Sequence, residues 1–344
     1  MQKNDNNEII NMISKTPKIQ IIKSKLSLKI ILFLSILILI LIIVSKNIIF
    51  SKKLDQIPFD QYETNIFNNI KDKLKNTKCS KMWGNQREFI NGIIRKSKPK
   101  KILELGVLFG GSSIIILNAI KDLKNSHLYS IDLRSHKKIG YCVKNFFPNL
   151  LKKWTLFKGD IAPQFMDKIG RNIDLAMIDT SHFEPGEILD FIMILPFLKE
   201  EAIVIFHDID HQITHSKGKD MRYEWAPYLI FNIIRGEKYL PSGQGILNKD
   251  IGAIKLEKNQ KKFIHDYCRA LGGQWQYFPE EKHIKTIKNF FRTHHDNFCF
   301  NVLEESIEFN RQFVKNNYRE KFYTRLRRER RERRERREKL NKKL

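Results

Sequence analysis

A strand, a glycine-rich loop and the start of a helix follow one another near residue 101, and this unit constrains the fold most. The segment reads KILELGVLFGGSSIII from Lys101 to Ile116. Its short apolar run ends in an acid and a glycine, a glycine pair follows, and a helical pattern then begins. A strand that leads through a tight loop into a helix is typical of the opening unit of nucleotide-type α/β domains.

Predicted strands and helices alternate through the rest of the central region. Further strands are predicted over residues 128–132, 155–158, 173–179, 202–207, 251–256 and 274–277. Helices are predicted over residues 111–122, 137–146, 163–169, 185–198, 225–234 and 263–271. The first five strands imply a parallel sheet covered on both faces, with the last two added at its edge. The predicted fold class is therefore α/β, a Rossmann-like sheet of seven strands with helices on both faces.

The spacing of the first loop indicates which ligand it holds. A dinucleotide site needs G-x-G-x-x-G, because the pyrophosphate approaches the backbone closely. Here the spacing is Glu104-x-Gly106-x-x-x-Gly110-Gly111-Ser112. An acid two residues before the first glycine would repel a pyrophosphate, whereas it suits a cationic ligand that carries an amino acid.

These motifs resemble those of class I S-adenosylmethionine (SAM)-dependent methyltransferases, in particular the macrocin-type and rhamnosyl-type sugar O-methyltransferases. The resemblance covers about residues 84–279. It implies that the loop and helix N-terminus hold the methionine end of SAM, that the acid ending the second strand binds the ribose, and that Lys158-Gly-Asp160 contacts the adenine. The implied cofactor-binding residues are Glu104, Gly106, Gly110, Gly111, Ser112, Asp132 and Asp160.

Two further motifs follow the fourth and fifth strands. Asp179-Thr-Ser-His182 ends one strand and His207-Asp208 ends the other. Both ends face the same crevice in an open α/β sheet. The motifs resemble those that bind a divalent ion in metal-dependent sugar O-methyltransferases, which implies Asp179 and Asp208 as ligands of Mg²⁺. His182 is placed to take the proton from the attacking hydroxyl, so the predicted catalytic residues are His182 and Asp179.

The ends of the 344-residue chain are basic and differ from its centre. The formal net charge is +25, with nine lysines against two acids in residues 1–53 and twelve basic residues against four acids in residues 325–344. The predicted organisation is a basic tail (1–28), a transmembrane anchor (29–50), a linker with a helix (51–83), the methyltransferase domain (84–280), a helical extension (281–324) and an Arg/Glu-rich tail (325–344).

Residues 30–45 contain no charge and are predicted to anchor the chain in a membrane. A helix of 16 residues spans about 24 Å, slightly less than the hydrocarbon core of a bilayer, and Ile48 to Phe50 extend it. Five lysines lie before the span and three lie just after it. This excess of positive charge before the span mildly favours a cytoplasmic N-terminus. SAM chemistry instead favours a cytosolic catalytic domain, and we expect that placement of the single-pass protein.

The Arg/Glu tail and the cysteines carry weaker signals. The tail repeats every three residues, which fits a solvated charged helix or contact with anionic lipid headgroups. Nucleic acid is disfavoured, because the tail lacks aromatic residues for base stacking. Four scattered cysteines without a C-x-x-C motif indicate free thiols in a reducing compartment.

The sequence as a whole predicts a membrane-anchored, SAM-dependent O-methyltransferase that acts on a hydroxyl of a glycan or lipid-linked saccharide. Two alternatives remain. An NAD(P)-dependent oxidoreductase could use a similar sheet, although the loop spacing disfavours it. A non-catalytic membrane scaffold would bind partners or lipid through the charged tail and would bind no cofactor.

Overall fold

The computed structural model describes residues 57–77, 79–80, 82, 85–210, 225–242 and 250–317. None of the helices in these ranges has the length and hydrophobicity that a membrane crossing requires. The predicted N-terminal tail, the anchor and the Arg/Glu tail lie outside the described residues.

One seven-stranded sheet forms the centre of the fold, in the order β3-β2-β1-β4-β5-β7-β6. The strands are β1 (Lys101–Leu105), β2 (His127–Asp132), β3 (Trp154–Lys158), β4 (Ile173–Ile178), β5 (Leu198–His207), β6 (Gly236–Tyr239) and β7 (Ile251–Leu256). Strands β1 to β5 run parallel, and β7 is antiparallel to both β5 and β6. The predicted seven-stranded sheet with helices on both faces is confirmed.

The seventh strand differs from the predicted one. Gly236–Tyr239 forms the edge strand, and the predicted strand at 274–277 is wrong. The backbone N–H groups of Gln276 and Tyr277 instead donate to the carbonyl oxygen of Glu184, in the loop after β4. The sequence of β6 is Gly-Glu-Lys-Tyr, whose polar composition suits an exposed sheet edge but gives no apolar strand pattern.

Ten α-helices cover the sheet in the described part of the chain. They are α1 (Thr64–Thr77), α2 (Gln86–Ser97), α3 (Gly111–Ala119), α4 (Tyr141–Phe146), α5 (Pro163–Ile169), α6 (Gly186–Ile194), α7 (Trp225–Ile233), α8 (Ile264–Arg269), α9 (Glu281–His294) and α10 (Asn297–Asn317). Helices α1 to α4 pack on one face and α5 to α10 on the other. Successive residues of β4 alternate between these two cores: Leu175 and Met177 join the first, Ala176 and Ile178 the second. A strand buried on both faces in this way reads as a continuous apolar run.

The helices α9 and α10, from the predicted helical extension, share a core with the sheet. Ile284, Phe291 and Leu303 belong to the same cluster as Phe206 of β5. The Asn310 side chain accepts a hydrogen bond from the backbone N–H of Trp275 at 2.7 Å, which fixes α10 to the segment before it. Residues 281–313 therefore complete the core on this side of the sheet.

The cysteines are paired, and the expectation of free thiols is wrong. Cys79 bonds to Cys142, and Cys268 bonds to Cys299. The partners lie 63 and 31 residues apart in sequence, so no local spacing reveals them. Each bond joins separate elements of the fold. Cys79 lies in the segment after α1 and bonds to Cys142 on α4, whereas Cys268 on α8 bonds to Cys299 on α10.

Candidate active site

A cavity of about 560 Å³ opens at the carboxyl ends of the parallel strands. Ligands of open α/β sheets bind at this edge, where the strand order changes direction on either side of β1. The cavity is lined by Cys79, Ser80, Met82, Leu105, Gly106, Val107, Leu108, Phe109, Gly111, Ser112, Ile131, Asp132, Leu133, Arg134, Asp160, Ile161, Ala162, Asp179, Thr180, Ser181, His182, Asp190, His207, Asp208 and Tyr277.

The loop after β1 passes directly over the end of β4. Gly106 has a φ of +87°, and a Cβ built on it would lie 1.8 Å from the carbonyl oxygen of Asp179. Only glycine fits there. The backbone N–H of Asp179 donates to Leu105 at 3.0 Å, so the two strand ends are fixed side by side. This contact brings the predicted cofactor loop next to the predicted catalytic residues.

The first turn of α3 follows this loop and lines the cavity with Gly111 and Ser112. Gly110 immediately precedes the helix but does not belong to the cavity wall. Backbone N–H groups at a helix N-terminus favour an anion, as predicted for the methionine carboxylate. The Ser112 hydroxyl donates a hydrogen bond to the buried Glu104 carboxylate at 2.5 Å.

Glu104 lies beneath the loop, outside the cavity wall, and is fully buried. Its carboxylate accepts hydrogen bonds from the hydroxyls of Ser112, Ser113 and Ser130 at 2.5–2.6 Å. Burial raises the pKa of Glu104 to about 7, although these three hydrogen bonds oppose the shift. Its geometry fixes α3 to β1 and β2, and its contact with a cofactor stays a prediction.

Asp132 ends β2 and is buried against the same loop. Its Oδ2 accepts the backbone N–H groups of Val107 and Leu108 at 3.1 and 2.9 Å, and its Oδ1 accepts that of Arg134 at 2.9 Å. The carboxylate therefore shapes the loop and also lines the cavity. Its predicted bond to a ribose would have to add to these contacts or replace one.

Asp160 lines the cavity beyond β3, beside an apolar wall that includes Leu133, Ile161 and Ala162. Its Oδ1 accepts the N–H of Ile161 at 2.9 Å. The buried Nε2 of His283 on α9 lies 3.6 Å from the same oxygen. An apolar slot with one carboxylate at its rim is compatible with the predicted adenine site.

The predicted catalytic and metal-binding residues meet at the ends of β4 and β5 and line the same cavity. His182 Nε2 lies 3.1 Å from Asp208 Oδ2 and 3.7 Å from Asp179 Oδ1. Donor atoms from these three residues all lie within 4.8 Å of one another. His182 and Asp208 have φ values of 59° and 57°. Such left-handed backbone is costly outside glycine and is concentrated at functional sites.

Neighbouring carboxylates determine the charge of the two imidazoles. Burial lowers the pKa of His182, but Glu187, Asp208 and Asp179 outweigh burial and raise this pKa to about 10. Burial likewise lowers the pKa of His207, while Asp179 and Asp208 raise it to about 9. Without a bound cation, both rings therefore carry a proton at neutral pH.

Glu187 is a part of the site that the motifs did not reveal. It is fully buried in the first turn of α6, and its Oε1 lies 3.1 Å from both His182 Nδ1 and the backbone N–H of Thr180. This contact fixes the imidazole plane. The signal in the sequence is the spacing of Glu187 and Asp190, the two acids of an otherwise apolar helix, on the same face.

Asp190 and Tyr277 also escaped prediction. Both line the cavity beside the catalytic cluster. The Thr180 hydroxyl donates to Asp190 Oδ2 at 2.7 Å, and burial raises the pKa of Asp190 to about 7. Tyr277 arrives from a segment almost a hundred residues away, so no local pattern places it here. With Ser181, these groups give this end of the cavity a hydroxyl-rich and carboxyl-rich wall.

Comparisons with known proteins identify the central segment. Residues 103–209 match the family model described as a methyltransferase domain. No curated protein matches the chain.

Several solved structures resemble the fold. An O-methyltransferase from Bacillus cereus in complex with SAH is 16% identical, with 56% of this chain and 90% of that chain covered and a TM-score of 0.43. TomG from Streptomyces achromogenes, an O-methyltransferase in complex with SAM, is 15% identical, with 51% and 81% covered and a TM-score of 0.40. The SAH-bound methyltransferase PaMTH1 of Podospora anserina is 16% identical, with 62% and 96% covered and a TM-score of 0.39. These values are too low to transfer an activity or a substrate.

The matched segment begins in β1 and ends just after β5. It contains all the residues predicted to bind cofactor or metal and to act in catalysis. The predicted enzyme class, a methyltransferase, is thus confirmed by the match of residues 103–209 to the methyltransferase-domain model.

Proposed function

We propose that this enzyme is an O-methyltransferase that transfers the methyl group of SAM to a hydroxyl of a saccharide, either a glycan or a lipid-linked sugar, with assistance from a divalent ion. One observation carries the proposal. A single cavity is lined both by the N-terminus of α3 and by the cluster of Asp179, His182 and Asp208.

The cofactor end is suited to a ligand with both a carboxylate and a base. The N–H groups at the start of α3 face the cavity at Gly111 and Ser112 and would bind the carboxylate of the methionine moiety. The apolar slot at Leu133 and Ile161 would hold the adenine, with Asp160 at its rim. SAM, when bound, supplies a methyl group on a sulfonium that an oxygen nucleophile can attack.

The cluster supports deprotonation of the acceptor. His182 lies within 3.7 Å of both aspartates, and Glu187 holds its Nδ1, so Nε2 faces the cavity. In the neutral form of the ring, which a cation beside Asp179 and Asp208 would favour, Nε2 would accept the proton of a hydroxyl as its oxygen attacks the methyl group. Asp179 and Asp208 would orient that hydroxyl.

The donor set fits a divalent ion. Carboxylate oxygens of Asp179 and Asp208 lie within 4.8 Å of each other, near enough for both to bind one divalent ion. The buried Nδ1 of His207 lies 3.1 Å from Asp208 Oδ1 and 3.8 Å from Asp179 Oδ1, so it also borders the proposed ion site. Asp179 and Asp208 would hold the ion, which would lower the pKa of a bound hydroxyl. Carboxylate ligands suit Mg²⁺, the ion expected from the sequence.

The wall opposite the cofactor end supports a polar acceptor. Thr180, Ser181, Asp190 and Tyr277 offer hydroxyl and carboxyl groups to the cavity beside the cluster. A saccharide presents several hydroxyls that can bond to such groups, and each such hydrogen bond contributes about 0.5–1.5 kcal/mol. This composition favours a saccharide.

The sequence outside the described residues supplies the remaining proposals. Residues 30–45 would anchor the enzyme in a membrane, and the Arg/Glu tail would contact anionic lipid. A membrane anchor is consistent with a lipid-linked acceptor. The two disulfides favour an oxidising compartment for the catalytic domain, opposite to the cytosolic placement expected from cofactor supply.

Titration of SAM into the full-length protein in detergent tests the cofactor assignment. Binding of SAM, with no binding of NADH or NADPH, supports the proposal. Binding of a nicotinamide cofactor alone would support the oxidoreductase, and binding of neither would support the scaffold.

Transfer of radiolabelled methyl groups from SAM then tests the acceptor. Saccharide, lipid-linked saccharide and catechol are offered in parallel, each with and without EDTA. We expect label on the saccharides and loss of transfer with EDTA. Label on catechol alone would contradict the acceptor class, and full transfer in EDTA would contradict the role of the ion.

A further inference from the structure

The wall of the cavity nearest the start of α3 comes from the segment between α1 and α2. Cys79, Ser80 and Met82 line the cavity there, and we call these three residues the N-terminal wall. Cys79 and Met82 are buried, with about 5% and 6% of their surfaces exposed. None of the three belongs to the motifs that predict the cofactor site.

The N-terminal wall lies directly against the first residue of α3. A Cβ built on Gly111 would lie 2.6 Å from the carbonyl oxygen of Cys79 and 2.8 Å from the Cα of Ser80. No side chain fits between them, so the wall and the helix N-terminus are in backbone contact. The wall thus borders the N–H groups that would bind the cofactor carboxylate.

The Cys79–Cys142 disulfide joins this wall to α4. Helix α4 in turn holds the loop that follows β1. The backbone N–H of Cys142 donates to Phe109 at 2.9 Å, and that of Gly140 donates to Leu108 at 2.9 Å. One covalent bond therefore links the N-terminal wall to the cofactor loop on the other side of the α3 N-terminus.

We propose that the Cys79–Cys142 disulfide is a positioning element of the cofactor site, because it holds the N-terminal wall against α3 and thereby sets the affinity for SAM. The proposal rests on the proposed function for the identity of the cofactor. It assigns a binding role to a segment outside the residues that match the methyltransferase-domain model.

The physical basis is preorganisation. A site whose walls are already in place loses less conformational entropy when the ligand binds. Without the covalent link, the wall would be held at the contact with Gly111 by packing and by its flanking helices, and water could reach the N–H groups of α3. SAM would then have to order the wall again, which weakens binding without changing the reacting groups.

The second disulfide provides a matched control. Cys268 and Cys299 are fully buried between α8 and α10, and neither lines the cavity. Their removal affects a core on the other face of the sheet. Removal of either disulfide should lower the stability of the protein, whereas only removal of Cys79–Cys142 should lower its affinity for SAM.

The test compares the SAM dissociation constant of the full-length protein in detergent across three proteins: wild type, C79S/C142S and C268S/C299S. Isothermal titration gives the constant, and thermal unfolding gives the stability of each protein. We expect C79S/C142S to bind SAM about fivefold or more weakly, the lower end of typical coupling between sites. We expect C268S/C299S to remain within about twofold of wild type.

A reversible version covers the case in which C79S/C142S does not fold. In C268S/C299S, the phosphine TCEP reduces the remaining disulfide to two thiols, while water supplies the two thiol protons and the oxygen of the phosphine oxide. SAM affinity should fall on reduction and return on reoxidation with oxidised glutathione. An unchanged constant on reduction, or equal losses for both pairs, would overturn the proposal. Failure of oxidised wild type to bind SAM would instead overturn the cofactor assignment.

Discussion

His182 Nε2 lies 3.1 Å from Asp208 Oδ2, while Nδ1 of the same ring lies 3.1 Å from Glu187 Oε1. The imidazole therefore spans the gap between the end of β4 and the end of β5, and both of its nitrogens have a carboxylate partner. Because Glu187 is fully buried in α6, the ring is oriented before any ligand binds. A preoriented imidazole between two aspartates is the feature on which the proposed chemistry depends.

Asp179→Asn and Asp208→Asn should each abolish methyl transfer and leave SAM binding nearly unchanged. Both residues belong to the cluster, and neither belongs to the α3 N-terminus that would hold the cofactor carboxylate. Loss of an ion ligand or of an orienting group should lower kcat by at least about 100-fold. Methyl-transfer assays and SAM titration measure the two effects separately.

Exposed Asp266 on α8 provides the control for these variants, because Asp266→Asn removes a carboxylate outside the cavity. Its activity should match that of wild type. Activity retained by both Asp179→Asn and Asp208→Asn would exclude the proposed role of the cluster.

His182→Asn should lower kcat by about 10²- to 10⁴-fold, the usual contribution of a general base. The KM for SAM should stay within about twofold, because the ring lies at the acceptor end of the cavity. Steady-state kinetics at saturating acceptor measure both constants. A rise in KM with unchanged kcat would show that His182 only binds a substrate.

The strand-end motifs could be predicted because each depends on a short stretch of chain. Asp179-x-x-His182 and His207-Asp208 follow apolar runs that could only be buried strands, and parallel strands bring their carboxyl ends to one edge. The fold then places the donor atoms of Asp179, His182 and Asp208 within 4.8 Å of one another. Local pattern and a simple topological rule sufficed for this part of the site.

Other parts of the site depend on contacts between distant segments. Tyr277 reaches the cavity because its segment pairs with the loop at Glu184 rather than with the sheet, so the apparent strand pattern was misleading. The partners of Cys79–Cys142 lie 63 residues apart. The role of Glu104 was likewise hidden, because an acid beside a glycine loop suggests a ligand until three serine hydroxyls are seen to surround it.

We expect the free energy of unfolding of Glu104→Gln to exceed that of wild type by an amount that grows as the pH rises. Burial raises the pKa of Glu104 from 4.5 to about 7. Between these values the unfolded chain releases a proton that the folded protein keeps, so the free energy of unfolding of wild type falls as pH increases. The full difference is about 3 kcal/mol and is reached above pH 7. Urea unfolding at pH 5, 6, 7 and 8 measures it.

Glutamine does not titrate, so the difference between Glu104→Gln and wild type isolates this group from all others. Exposed Glu200 offers a matched variant, Glu200→Gln, which makes the same chemical change at the surface. A difference for Glu104→Gln that is constant or shrinks as pH rises would contradict the shifted pKa.

All four cysteines should resist alkylation in the protein isolated from its native cells. The chain contains four cysteines, and all are paired. The protein is denatured and treated with maleimide-linked polyethylene glycol, and the number of attached polymers is counted from gel mobility. We expect no attached polymer before reduction and four after it. Four attached polymers before reduction would instead show four free thiols and would support the reducing compartment expected from the sequence.

Asp190→Asn should raise the KM for the acceptor about tenfold, because loss of one hydrogen bond to a charged group costs about 1.5 kcal/mol or more. Asp190 lines the acceptor end of the cavity and receives one hydrogen bond from Thr180, at 2.7 Å. Asparagine keeps the shape but replaces one acceptor oxygen by a donor. Exposed Asp167 on α5 gives the control variant Asp167→Asn, which should leave both KM values unchanged. If Asp190→Asn instead raises the KM for SAM and spares that for the saccharide, the acceptor does not lie on this wall.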